Sequence, residues 1–380
     1  MSRSLPAVPA EQVSPPVRSK YEAYTDQGGL LGAVTYALTV LETDDDELAA
    51  TLASIPTQLF VTSSLHDDAI DEADAWGDDR KRRLNEHVTV GDLVFTGVLE
   101  AASSLPDGVD LTPVLETVRR IGRGQLGEEQ LEPATATLEE TIARVDERGA
   151  VWGDLAVALI DAVGGYSATQ LDSLRRTATN AMFVLTVVDD VADLPEDLDN
   201  GVANVPIALT DADLTAAESP SRAVDSFLES DAPRRLEALL ADRRAAVEAG
   251  VYEFADSVDR SDAAVLDAVS RALSWYCESV CSVPVEATVP SARQREIRRQ
   301  LTGDKATRQQ FIDDLLASLP FEPHVDPNAV ESAVADLPAE PLAEVAIMLS
   351  HVSTVTDGVM STSLSDALDS LERQANAPLS

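Results

Sequence analysis

Positive charge is what this chain has little of. Its 380 residues hold 28 lysines and arginines against 67 aspartates and glutamates, a formal net charge of -39, and only three of the 28 are lysines. Such a field repels nucleic acid and anionic lipid surfaces, so partners of those kinds are not expected. The acid excess runs along the whole chain instead of filling a tail. That reads as a halophilic surface, adapted to a cytoplasm whose salt screens the repulsion. The same abundance makes any single carboxylate a poor pointer to function, since most are solvated surface. Cysteine is nearly absent: Cys277 and Cys281 stand four apart in a helical stretch with no histidine at zinc-ligand spacing, and read as buried thiols. No charged-then-apolar leader opens the chain, and no apolar run approaches the roughly 20 residues that span a bilayer. A soluble, cytoplasmic protein without a transmembrane segment is expected. Strand-type alternation is rare, and there is neither a fixed-period repeat nor a low-complexity tract.

What is present is helix. A hydrophobic content of 44% over 380 residues is enough for a large core. Leu48, Leu52, Ile55 and Leu59 recur at spacings of four and three, as do Leu174, Ala178, Ala181, Leu185 and Val188. Breaks at Pro106 to Gly108, Gly164 to Gly165, Pro195 to Gly201 and Glu218 to Ser221 read as helix-helix loops. Residues 1–20, with Pro6, Pro9, Pro15 and Pro16, read as a flexible lead-in. Order is expected from Tyr21, in a main helical domain over 21–283. A C-terminal helical extension over 284–380 is entered through Pro284 and Pro290 and interrupted by Pro320, Pro323 and Pro327.

One pattern occurs twice. Asp67-Asp68-Ala69-Ile70-Asp71 and Asp189-Asp190-Val191-Ala192-Asp193 share the spacing Asp-Asp-x-x-Asp, some 120 residues apart. Aspartate is so common here that one copy carries almost no information. Two copies in matching contexts carry more: each follows directly on an apolar stretch, Leu59-Phe60-Val61 or Phe183 to Val188, where a surface acid cluster is out of place. Positions i, i+1 and i+4 share a helical face, so six carboxylates on two facing helices can converge across a bundle and hold hard divalent cations through oxygen. The bland alternative is a pair of acidic helix ends on a halophilic surface.

These residues resemble the isoprenyl (polyprenyl) diphosphate synthases, the trans-prenyltransferases. Leu65-His66-Asp67-Asp68-x-x-Asp71 is similar to the family's first aspartate-rich motif, and Phe183 through Asp193 to its second. Between them, Gly91-Asp92-Leu93 resembles a Gly-Asp-x-Leu helix start, and Gly124-Gln125 with Glu128-Glu129 a Gly-Gln and acidic segment. Asp197-Leu198-x-x-Gly201, followed by Pro206, resembles the stretch after the second motif. The resemblance covers about residues 25 to 210, and weakly on to about 280.

It implies an all-α fold, a large orthogonal and antiparallel helix bundle around a central apolar cavity, the isoprenoid synthase fold. It implies Mg²⁺ held by Asp67, Asp68, Asp71, Asp189, Asp190 and Asp193, which would also be the catalytic groups. Allylic and isopentenyl diphosphates would be the substrates, joined by 1'-4 condensation into a linear isoprenyl diphosphate. Thr62 and Ser63, small where the family places bulky residues, imply a product of C20 or longer. Arg82, Arg83, Gln125 and Arg148, with Thr62 and Ser63, are the candidate substrate-binding residues. His66 reads as a satisfied histidine in the apolar wall. A homodimer, or a heterodimer with another synthase, is implied as well.

The departures concern cations. Where the family has Gly-Gly-Lys-x-x-x-Arg, Gly28-Gly29 runs into Leu30-Leu31; its Arg-Arg pair is Trp76-Gly77; its Lys-Thr pair is Arg148-Gly149; and its Gly-Lys-x-Thr element is Gly201-Val202-Ala203-Asn204. Each lost charge-assisted phosphate contact removes about 1.5 to 3 kcal/mol. Two other readings therefore stand beside the transferase: a class I terpene-synthase-like lyase, and a non-catalytic or regulatory subunit of a prenyl synthase.

Overall fold

The computed structural model describes residues 12–127, 131–317, 337–356 and 363–375, and among them there is helix and no strand. The pair Glu128-Glu129 and the prolines at 320, 323 and 327 lie outside these residues. Helix α1 (Pro15–Thr43) begins six residues before the expected start of order. Pro15 and Pro16 sit at its first positions, where a missing N–H costs nothing and a fixed φ favours the helix; they start it where a flexible lead-in was expected. Asp44 turns the chain in the left-handed region, and Asp45 caps α2 (Asp46–Asp71) by accepting from the backbone N–H of Glu47 and Leu48. A 3-10 turn (Ala73–Asp79) leads to α3 (Arg80–Ser103), which packs along α2.

Helix α4 (Thr112–Gly127) is followed by α5 (Leu138–Val145), a π turn (Asp146–Ala150) and α6 (Val151–Val163). Nine of the 13 residues of α6 are buried, the mark of a helix apolar on all sides and set inside its neighbours. The Ser167 and Gln170 capping box opens α7 (Ala168–Ala192). Short helices α8 (Leu194–Asn200), α9 (Val205–Leu209) and α10 (Pro220–Glu229) lead to the long α11 (Ala232–Ser257) along α7. Helix α12 (Asp262–Trp275) runs into a π turn (Tyr276–Val280), then α13 (Val285–Thr288), α14 (Ser291–Leu301) and α15 (Lys305–Ala317). Of the expected C-terminal extension, α16 (Ala339–Thr356) lies on α12 and α14. Helix α17 (Leu364–Ala375) buries Leu364, Ala367 and Leu371 in the core shared by α7, α10 and α11.

Both cysteines are half-buried thiols, and burial pushes Cys277 up to about 12. The histidine that local spacing could not supply comes from far along the chain: His351 Nε2 stands 3.3 Å from Cys281 Sγ. By length and mean hydropathy α2 is apolar enough to cross a bilayer, which the count of apolar runs did not anticipate; 67% of that stretch is buried inside the protein.

Two helical hairpins set the geometry that matters. In each, α1 with α2 and α6 with α7, a short turn reverses the chain. The turns lie together: Tyr166 donates its hydroxyl to the Leu38 carbonyl at 2.7 Å, and Gly165 abuts the Glu42 side chain. Helices α2 and α7 therefore start at the same end of the bundle and run the same way. Helices α6 and α7 are in close contact at Gly153, where an added Cβ would lie 2.5 to 2.7 Å from the backbone of Ala178 and Thr179.

Gly153→Val should accordingly destabilise the protein by at least about 1 to 3 kcal/mol through overpacking. Gly122→Ala, on open α4 surface with nothing within 4 Å, should be neutral or stabilising by up to about 1 kcal/mol. Urea unfolding of the two variants checks the pair, and equal effects would contradict the close α6–α7 packing.

Candidate functional site

Both aspartate motifs fall at the carboxyl ends of their helices. Asp67 is the 22nd residue of α2 (67 − 46 + 1) and Asp189 the 22nd of α7 (189 − 168 + 1). At 1.5 Å per residue each lies about 32 Å from the shared turn end, so the two motifs stand at one height. Their faces agree as well. Phe60 of α2 and Met182 of α7 pack against the same apolar cluster around Trp152, Leu155 and Leu159 of α6, and Phe60 meets Trp152 edge-on at 5.6 Å. Seven residues further on, two helical turns along the same faces, come Asp67 and Asp189; Asp71 and Asp193 follow one turn later.

This placement works against the helices. The carboxyl end of a helix carries partial negative charge and favours cations, yet neither last turn contains a basic residue. At the second motif the strain appears as retained protons. Water reaches Asp189, but protein closes round it; that desolvation, then the charge on Asp193, raise its pKa to about 7 against the pull of Arg148. Half-buried Asp190 is raised to about 8 by desolvation and then by Asp197, with Arg148 opposing. Asp193 is raised by desolvation and by Glu196. Arg148, on the π turn before α6, thus faces all three aspartates of the motif. A small cavity behind it is lined by Arg144, Arg148, Thr186, Asp190 and Asn204. Asn204 there donates to Asp197 Oδ2 at 2.8 Å and caps α9.

At the first motif the three aspartates divide. Asp68 faces the seam between α1 and α3, in line with buried Val61 and Leu65. Lys20 Nζ stands 2.7 Å from its Oδ1, Tyr24 donates to the same oxygen at 2.9 Å, and His87 Nε2 lies 3.7 Å from its Oδ2. Lys20 also pairs with Glu72, which accepts from Trp76 Nε1, and Trp76 stacks on His87 at 4.7 Å. Asp67 is half-buried and Asp71 exposed, both in line with Phe60 along α2.

The remaining expected residues scatter. Arg82 is a surface residue paired with Asp79 and Glu86, and Arg83 is half-exposed on the same turn of α3. Thr62 donates to the Gly91 carbonyl of α3, and Ser63 is half-buried. Gln125 is half-buried on α4, beside Gly124, whose Cα packs on the Glu147 carbonyl; it therefore borders the turn carrying Arg148. Gly28 and Gly29 lie mid-way along α1, against Phe60 and Tyr276. His66 is not the satisfied core residue expected. Its side chain is 37% exposed, 3.5 Å from Asp92, and its buried Nε2 makes no hydrogen bond. Lys20 and Tyr24 were missed because no short motif joins α1 to position 68; the only signal was that Lys20 is one of three lysines.

Among the described residues no three of His, Cys, Asp and Glu already form a cluster able to hold a metal ion. A magnesium ion that kept several waters and took one or two carboxylates, with the rest from substrate phosphate, would not need such a cluster. Asp67 and Asp71 on α2, with Asp189 and Asp193 on α7, are the pairs that would hold such ions.

No family model matches the chain, and no curated protein matches it. Solved structures do. It is similar to the geranylgeranyl pyrophosphate synthetase of Pyrococcus horikoshii Ot3, with 16% identity over 68% of this chain and 89% of that one, at a TM-score of 0.52. It is likewise similar to the geranylgeranyl pyrophosphate synthetase of the archaeon Geoglobus acetivorans, with 14% identity over 69% and 91% and a TM-score of 0.53. The shared property is the fold: the chain has the all-α isoprenoid synthase fold.

The raised carboxyls make stability depend on pH in metal-free protein. Between about pH 4 and 8 the native state keeps protons on Asp189 and Asp190 that the unfolded chain releases, so stability falls as pH rises through this window. Thermal unfolding in a chelator should show that fall, and Asp190→Asn should flatten it. A slope unchanged in Asp190→Asn would contradict the assignment.

Proposed function

We propose that the chain is a magnesium-dependent prenyltransferase acting on allylic diphosphates, joining them to isopentenyl diphosphate to give a linear product of C20 or longer. One observation carries the reading: two aspartate motifs of the same spacing stand at the same height and face of two parallel helices in this fold. Asp67, Asp71, Asp189 and Asp193 hold the metal and orient the diphosphate between the helix ends. Magnesium, when bound, neutralises charge on the departing diphosphate. Apolar side chains such as Phe60, Leu59 and Met182, directly below the carboxylates, keep water from the allylic cation left behind. Arg148 adds a fixed positive charge on the α7 side.

Isopentenyl diphosphate is the less supported substrate. The glycine pair expected near its diphosphate is helical and brings no cation, and Arg82 is engaged at the surface. Ionisation without condensation, as in a lyase, needs only the metal half of the site. A partner-subunit reading is favoured by α3, which exposes Leu84, Val88, Phe95 and Leu99 in one stripe beside the face that packs on α2. Such a stripe suits a second helix of a like or related chain.

One experiment separates these readings. Purified protein in high salt and magnesium receives geranylgeranyl diphosphate with and without isopentenyl diphosphate, and longer diphosphates and released pyrophosphate are measured. Prenyl transfer predicts elongation only with both substrates, and loss by at least about a hundredfold in Asp67→Ala and Asp189→Ala. Pyrophosphate release from the allylic substrate alone indicates a lyase. No turnover, restored on addition of a second synthase and indifferent to both substitutions, indicates a subunit.

A further inference from the structure

The structure assigns Lys20 as a built-in counter-cation of the first aspartate motif, a positioning residue that holds Asp68 toward α1 and is not displaced when a divalent ion binds at Asp67 and Asp71. The inference rests on the metal-binding part of the proposed function and on no turnover. In a chain with three lysines, one is placed 2.7 Å from Asp68 and paired as well with Glu72, its side chain 29% exposed. Tyr24, one turn along α1, donates to the same Asp68 oxygen at 2.9 Å, so two side chains of α1 hold one carboxylate. The Asp68 side chain is 11% exposed, and its other oxygen is buried without a hydrogen bond, facing His87 across 3.7 Å.

Positions 67 and 68 are 100° apart round the helix. With Asp68 held into the α1–α3 seam, Asp67 and Asp71 are turned along the Phe60 face, toward α6 and α7. A fixed ammonium beside Asp68 also lowers the negative potential of the cluster, and with it the affinity for divalent ions. Lys20 thus does two things to one site: it sets the direction of the motif and reduces the metal charge the motif needs.

Manganese binding to the full chain, followed by titration calorimetry at fixed salt, tests this in wild type, Lys20→Met, Lys20→Arg and Asp68→Asn. The expected results are Asp68→Asn within about twofold of wild type, Lys20→Met binding at least several-fold more tightly because Asp68 and Glu72 lose their cation, and Lys20→Arg close to wild type. Lys20→Met should also gain more thermal stability from added manganese than wild type does. Asp68→Asn weakening binding by tenfold or more would make Asp68 a direct ligand and overturn the assignment, without any need for Lys20→Met to fold. Unchanged affinity in a folded Lys20→Met would overturn it equally. A wild type that binds no manganese, beside a Lys20→Met that does, would sink the metal-dependent function and still support the role of Lys20.

Discussion

The contact between two hairpin turns governs this molecule. Tyr166 reaching the Leu38 carbonyl ties the start of α7 to the end of α1, and through the two-residue turn at Asp44 and Asp45 to the start of α2. Once those starts coincide, helices of 26 and 25 residues end together, because rise per residue is fixed. The carboxylates at their far ends then stand at one level for reasons of length alone. The buried helix α6 gives both α2 and α7 an apolar wall to pack on, which sets their rotation.

The cost of this arrangement is electrostatic. Six carboxylates stand at the negative ends of two helices, and the chain relieves them unevenly. Lys20 and Tyr24 take Asp68, whereas Arg148 faces the three aspartates of the second motif and leaves two of them with strongly raised pKa values. On the function proposed above, a site so arranged would attract hard cations and, through them, a diphosphate. It offers much less to a second, metal-free diphosphate.

The helical class was legible in the sequence because it rests on local periodicity, and the two motifs and Arg148 were picked out as short matched segments, of which the fold sets Arg148 beside the second motif. The start of α1 was misplaced because prolines that terminate a helix from within also open one at its first turn, and local sequence does not say which. What Gly28 and Gly29 do was not legible either: having no side chain, they let α1 approach Phe60 and Tyr276, residues far off in the sequence. The partners of Asp68 were not legible, because Lys20, Tyr24 and His87 are brought to it from 48, 44 and 19 residues away. The pairing of Cys281 with His351, 70 positions apart, was invisible in the same way.

The central claim is that Asp67 and Asp189 act on one bound ion cluster. Binding of inorganic pyrophosphate with magnesium, measured by calorimetry in wild type, Asp67→Asn, Asp189→Asn and the double variant, tests it most directly. The account predicts strong coupling: each single change removes most of the affinity, and the double change costs at least about 1 kcal/mol less than the two singles summed. Strict additivity, or loss in only one of the two single variants, would mean that the motifs serve separate surfaces, and the account would be wrong.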